Sequence, residues 1–265
     1  MHPRIGRTRD NTHGRIRLVQ RCVIALMLLA GANISANGQT IDIPLRIHLV
    51  AGHAFSKQSR ALPLWLTERD VREVVIPAVN RIWSPAGIRF VAQSVGPARL
   101  RSPANTRELI AAIVASHRDH AGRSDPDRID KLDALIDYSA APRDGIDAYI
   151  VPYLGEKSQG RAIRKQRRVF VTAWTDKYAA DGAPPVRFRL TEPRPFRHGS
   201  LARTLAHELG HVLRLRHPDK TKQKTFSRLM GARKPGYGLT DHEIARATTS
   251  ARKLQTRALA AGSRH

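Results

Sequence analysis

The segment from Ser200 to Pro218 constrains this chain more than any other. Its central part, Leu201 to His217, reads LARTLAHELGHVLRLRH. Ser200 is a favourable N-cap, and Leu201, Leu205, Leu209 and Val212 recur at helical spacing. His207 and His211, one turn apart, then share roughly the opposite face. Two imidazoles so placed can direct nitrogens at one cation about 2.0–2.1 Å away, the usual Zn–His distance. Glu208 is rotated off that pair, too far round to ligate but placed to hydrogen-bond a water and take its proton as general base. A third ligand is needed, and His217 is the candidate. On a continuing helix it would lie roughly 280° round from His207, so the helix must stop soon after His211. Pro218 marks extended chain there. Three neutral imidazoles with an open fourth position describe catalytic rather than structural zinc, which recruits cysteine.

Cysteine is scarce: the chain has 265 residues and one Cys, Cys22. That residue falls in a segment set aside from fold reasoning. Arg4, Arg7, Arg9, Arg15, Arg17 and Arg21 precede an apolar stretch from Cys22 to Ala32, and Ala36-Asn37-Gly38 offers a cleavage site. Residues 1–38 therefore read as a signal peptide. The apolar run is well short of the roughly 20 residues that span a bilayer. Residues 39–265 read as one exported catalytic domain, periplasmic or extracellular, with no transmembrane segment and no disulfides. Opening almost directly into its first strand, with no cysteine to plug a metal, it is expected to need no proteolytic activation.

Along that domain, Ile41 to Val50 reads as a first strand near a sheet edge, with Pro44 near its start. Thr67 starts a helix whose apolar stripe runs from Val71 to Trp83, and Pro77 inside the stripe should kink it. Ile88 to Val95 is the second strand. Residues 100–143 look like a helical insertion, with helices over 105–117 and 127–138. Strands follow at Ile146–Val151 and Val169–Thr172, then a Pro-rich loop over 183–198 and, after the histidine helix, a last helix from Thr240 to about Ala260. Strands early and helices late, with a crossing helix between, give an α/β or α+β domain.

The spacing HExxHxxxxxH, with Met230 of Ser227-Arg-Leu-Met-Gly231 thirteen residues past His217, resembles the metzincin superfamily of zinc endopeptidases. Val79 to Phe90 is similar to the first helix and second strand of that fold, and Leu239 to Arg246 to its final helix. The resemblance implies a zincin-like twisted mixed sheet of about five strands packed on helices. The zinc helix would form the cleft floor, and a small C-terminal subdomain would carry a Met-turn and a final helix. It also implies that Met230 packs beneath the metal without ligating it. Two positions depart from the pattern. Arg214 stands where the superfamily has a glycine, so either an arginine adopts the left-handed region at about 1 kcal/mol or the turn differs. Ala232 stands where some members carry a tyrosine, leaving only the distant Tyr237.

The function expected is exported, zinc-dependent hydrolysis of protein or peptide substrates. Forty-six Lys+Arg against 22 Asp+Glu give a net charge of +24, about +19 without the leader, which attracts acidic partners. Arg161, Arg164, Lys165, Arg167 and Arg168 concentrate it, read as a charged edge strand, as a subsite for acidic substrates, or as a polyanion contact. Aromatics are only 5% and no nucleic-acid motif is present, so no specific nucleic-acid partner is expected. The competing reading is a polyanion- or envelope-surface-binding protein whose zinc site is structural or decayed. His48, His53, His117, His120, His198 and His242 lack partners at ligand spacing. Asp125, Asp127 and Asp130 read as helix caps rather than a calcium loop.

Overall fold

The β-branched, alternating run at the start of the domain becomes the strand around which the sheet is built. The structure, a computed structural model, describes residues 40–50, 53–55, 61–101, 136–138, 144–154, 159–175, 179, 183–192, 199–218, 227–231 and 236–262. The expected leader, most of the expected insertion, and Asp125, Asp127 and Asp130 lie outside these residues. Thr40–His265 form one compact unit. Among the described residues no helix is long and apolar enough to cross a membrane.

Five strands make one mixed, mostly parallel sheet in the order β4-β1-β5-β7-β6. They are β1 (Ile41–Leu49), β4 (Ile88–Pro97), β5 (Ile146–Val151), β6 (Gly160–Ile163) and β7 (Arg168–Thr172). Only β6 runs antiparallel to its neighbour. Two short antiparallel pairs, unanticipated in the sequence, flank the sheet. One joins β2 (His53–Phe55) to β3 (Ala61–Pro63), and the other joins β8 (Trp174–Thr175) to β9 (Val186–Arg187) inside the expected Pro-rich loop. β1 lies one place in from the edge. Its Pro44 pairs only with Val91 of β4, because β5 begins to pair at Leu45, so the missing proline N–H disrupts no second ladder.

The helix after β3, α1, begins at Glu68–Asp70, passes through a π-helical turn Val71–Val75 and continues as Ile76–Trp83. Thr67 caps it, exchanging hydrogen bonds with Asp70 in a capping box. The wide turn sits just before Pro77, which has no N–H to bond back and whose ring would crowd the preceding turn. The expected kink is thus taken up as a π turn. Asn80 then ties α1 to the edge strand, accepting from the Phe90 N–H (2.8 Å) and donating to the Phe90 carbonyl (3.1 Å).

Apolar side chains at alternate positions of β1, β5 and β7 pack with α1 and with α2 (Leu201–Val212) around buried Trp83, Phe90 and Ile43. The other face carries Tyr149 stacked on Phe170 at 5.0 Å. There Asp147 accepts two bonds from the buried Arg46 (2.9 and 3.1 Å) and one from His48 Nε2 (2.9 Å). His48 is thus tied into the Arg46–Asp147 network. A cavity of about 450 Å³ lined by Arg46, His48, Arg99 and Tyr149 lies on this face and shares no residue with the histidine helix. Residues 136–138, expected to end a helix, are not helical; Ile136 instead bridges Leu100. The last helix, α3 (Asp241–Gly262), starts on a second capping box between Thr240 and Glu243.

Candidate metal centre

Ser200 caps α2 as expected, its hydroxyl accepting from the Arg203 N–H (3.2 Å). Of the twelve residues of α2, all but His211 are buried, because the helix is wedged between β6–β7, α1 and the chain around Leu229. The helix stops where the third histidine required. Leu213 is its C-cap, the Arg214 N–H bonds the His211 carbonyl (3.1 Å) and the Leu215 N–H bonds the Gly210 carbonyl (2.9 Å). That pair of bonds is a Schellman closure, with Arg214 in the left-handed position at φ 69°. Of the two geometries left open by the sequence, the strained arginine is the one observed.

This closure turns the chain back on itself and brings His217 to the other two rings. Its Nε2 lies 3.0 Å from Nε2 of His207 and 3.1 Å from Nε2 of His211. The three form the one group of ligand-type side chains among the described residues able to hold an ion, graded from buried His207 to exposed His217.

The rings are oriented from behind. His207 Nδ1 donates to the Leu229 carbonyl (2.8 Å) and His211 Nδ1 to the Leu215 carbonyl (3.0 Å). With the proton fixed on Nδ1, each Nε2 presents a lone pair toward the shared point, the arrangement typical of metal-ligating histidines. Burial, chiefly, lowers the His207 pKa to about 3 and the His211 pKa to about 4, so both rings are neutral near pH 7. Neutral lone pairs converging at this spacing repel unless a cation lies between them. The observed separations approach the roughly 3.4 Å between ligand atoms of a tetrahedral site with bonds of about 2.0–2.1 Å. The three nitrogens, with no thiolate among the described residues, therefore fit a zinc ion.

Glu208 is not grouped with the three rings and is 6% exposed. Burial pushes its carboxyl up to about 8, against the charges of Arg203, Arg161 and Arg164, which favour ionisation. The side chain lies directly against β6. A Cβ on Gly160 would stand 2.7 Å from Glu208 Cγ and 2.8 Å from Oε1. Only glycine lets the strand pass so close.

Met230 is fully buried, and its Sδ occupies the space beside Gly210, where a Cβ would stand 2.7 Å away. It contacts the histidine helix and is not among the residues grouped around the shared point. Tyr237 lies near the far end of α2, its hydroxyl 3.5 Å from Ser200 Oγ, and burial raises its pKa.

Two further features were not singled out in the sequence. Arg203, one turn before His207, is buried and donates to the carbonyls of Leu229 (2.7 Å), Gly231 (3.2 Å) and Gly236 (3.2 Å). It thereby holds the carbonyl that orients His207. Glu243 at the start of α3 pairs with Arg228 (2.8 Å) and grips the same turn from the other side. Arg203 shares one helical stripe with His207 and His211, but nothing in that spacing sets it apart from the chain's many other arginines.

No family model and no curated protein matches the chain. Among solved structures it is similar to a zinc-dependent peptidase from Methanocorpusculum labreanum (strain Z), at 14% identity over 76% of this chain and 99% of that one, with a TM-score of 0.34. At that distance the chemistry rests on the side chains themselves.

Proposed function

We propose that the protein is an exported zinc-dependent endopeptidase of metzincin type, with His207, His211 and His217 as ligands and Glu208 as general base. The observation that carries this reading is the convergence of three imidazole nitrogens, two with tautomers fixed by carbonyls, beside a buried carboxyl. Zinc held there supplies Lewis acidity toward a carbonyl oxygen and lowers the pKa of water toward neutrality. Glu208 takes a proton from the attacking water as its oxygen bonds to the peptide carbon, and returns a proton to the amine nitrogen as the C–N bond breaks. Met230 acts by packing, filling the gap at Gly210 and supporting the turn that carries the Leu229 carbonyl. Export after cleavage near Gln39 is part of the same proposal.

The test is Glu208→Gln. The variant is expected to retain stoichiometric zinc by metal analysis while hydrolysis of a fluorogenic peptide falls by about 10²–10⁴-fold. In the unaltered protein, a chelator should abolish hydrolysis and added zinc restore it. Full turnover by Glu208→Gln, or purified protein without stoichiometric metal, refutes the proposal.

A further inference from the structure

A row of rings crosses the sheet on the face that carries Tyr149. Phe170 of β7, Tyr149 of β5 and His48 of β1 share one line of register, Tyr149 opposite Phe170 and His48 opposite Tyr149. The rings stack at 5.0 Å (Tyr149 on Phe170, 20° between planes) and 4.6 Å (His48 on Tyr149, 15°). Those separations match the roughly 4.7–4.9 Å between neighbouring strands. The His48 ring is fixed at one edge by the bond between Nε2 and Asp147 (2.9 Å), and Asp147 is held in turn by Arg46. With Tyr149 on one face, the other face of the imidazole looks toward β4. The register partner there is Gly96, which has no ring to continue the row.

Gly96, His48 and Tyr149 all line the cavity of about 450 Å³. Small-molecule sites span roughly 300–1,000 Å³. The cavity lies along the carboxyl-terminal parts of the parallel strands β1 and β4, the end at which open α/β sheets bind ligands. A Cβ on Gly96 would meet only Glu68 Oε1 within 4 Å, at 3.7 Å, so the position beside His48 is open to a larger group. The polar lining is weighted toward donors. Arg99 is exposed there and has no acidic partner among the described residues, and Gln93 and Ser94 add an amide and a hydroxyl. The Arg46 charge, by contrast, is taken up by Asp144 and Asp147, and Asp137 on the lining has contacts of its own. A net charge of +24 draws anions to such a site.

We propose that this cavity is a second binding site, for a small aromatic anion whose planar ring stacks on His48 as the fourth member of the row and whose carboxylate meets Arg99. The site is separate from the metal centre and does not depend on the peptidase reading. Its test titrates the purified protein, with and without added zinc, with naphthoate, its neutral amide and the non-aromatic cyclohexanecarboxylate, followed by calorimetry. Naphthoate should bind about tenfold more tightly than either comparison compound, equally with and without zinc, and should shift the His48 ring protons upfield in NMR spectra. Gly96→Phe, which puts a ring of the protein's own in the slot, should abolish binding with the circular dichroism spectrum unchanged. Arg99→Gln should reduce naphthoate to the affinity of its amide. Arg252→Gln, which removes the same charge from the exposed side of α3, should leave the difference intact. Absence of naphthoate binding overturns the proposal. So does binding that needs zinc or survives Gly96→Phe, which would place the ligand elsewhere. Equal affinity for all three compounds, or an equal loss in the two arginine variants, overturns it as well.

Discussion

Arg214 permits a test of how the third ligand is delivered. It sits at φ 69° just past the end of α2, and His217 reaches the other rings only because the chain reverses at this residue. A non-glycine residue in that region costs on the order of 1–2 kcal/mol. The Arg214 side chain is exposed, so deleting it removes little packing, within about 0.5 kcal/mol for a surface change. Glycine returns part of the gain through its larger freedom in the unfolded chain, about 0.5–1 kcal/mol. Arg214→Gly should therefore stabilise by about 0.5–1 kcal/mol net, raising Tm by roughly 1–4 °C for a domain of this size. Arg214→Val makes the opposite change, forcing a β-branched residue into the same conformation. It should lose about 1–2 kcal/mol, and since the strained turn carries His217, zinc affinity should fall about tenfold with it. Unfolding followed by circular dichroism, together with zinc competition against a chromophoric chelator, reads both effects. A destabilised Arg214→Gly, or an Arg214→Val that binds zinc like the parent, would show that the Schellman closure does not position His217.

Other perturbations follow from close contacts. Gly160→Ala places a methyl 2.7 Å from Glu208 Cγ; peptide hydrolysis should drop at least tenfold while metal analysis still finds one zinc per chain. Gly210→Ala drives a Cβ to 2.7 Å from Met230 Sδ and should destabilise by about 1–3 kcal/mol in urea, a loss recovered in part by Met230→Ala in the same chain. Asp147→Ala removes two bonds of the buried Arg46 guanidinium and the His48 contact, leaving Arg46 its bonds to Asp144 and Gln93, and should cost about 1–3 kcal/mol with the zinc ligands untouched. The Asp147 carboxyl is itself resisted by burial but held below its usual range by His48 and Arg46. Its contribution is therefore complete above the unfolded carboxyl value of about 4 and lost as pH falls through the lower folded value. Asp147→Asn should flatten that acid limb of the urea midpoint against pH, and an unchanged limb would remove Asp147 from the account.

What could be seen in the sequence, and what could not, divides by the range of the interaction. The histidine helix, its Ser200 cap, its stop after His211 and the capping box at Thr67 all depend on residues within a turn or two of one another, so spacing alone exposes them. Four of the five sheet strands were visible through β-branched runs, and β6 only as one reading of the basic stretch, but their order was not visible, since pairing of β1 with both β4 and β5 joins residues far apart in sequence. Arg203 was hidden for another reason. Among so many arginines one more carries no signal, and its partners are backbone carbonyls that any sequence supplies. Glycine had the same ambiguity: Gly210 inside a helix and Gly160 at the start of a strand look like local weaknesses until the side chains that need their space, Met230 and Glu208, arrive from elsewhere. The ligands of the centre are thus encoded locally and their orientation non-locally. His207 has its position from α2, but its tautomer from a carbonyl twenty-two residues away, gripped by Arg203 on one side and by the Arg228–Glu243 pair on the other. A substitution that loosens that turn should therefore weaken the metal centre without touching any ligand.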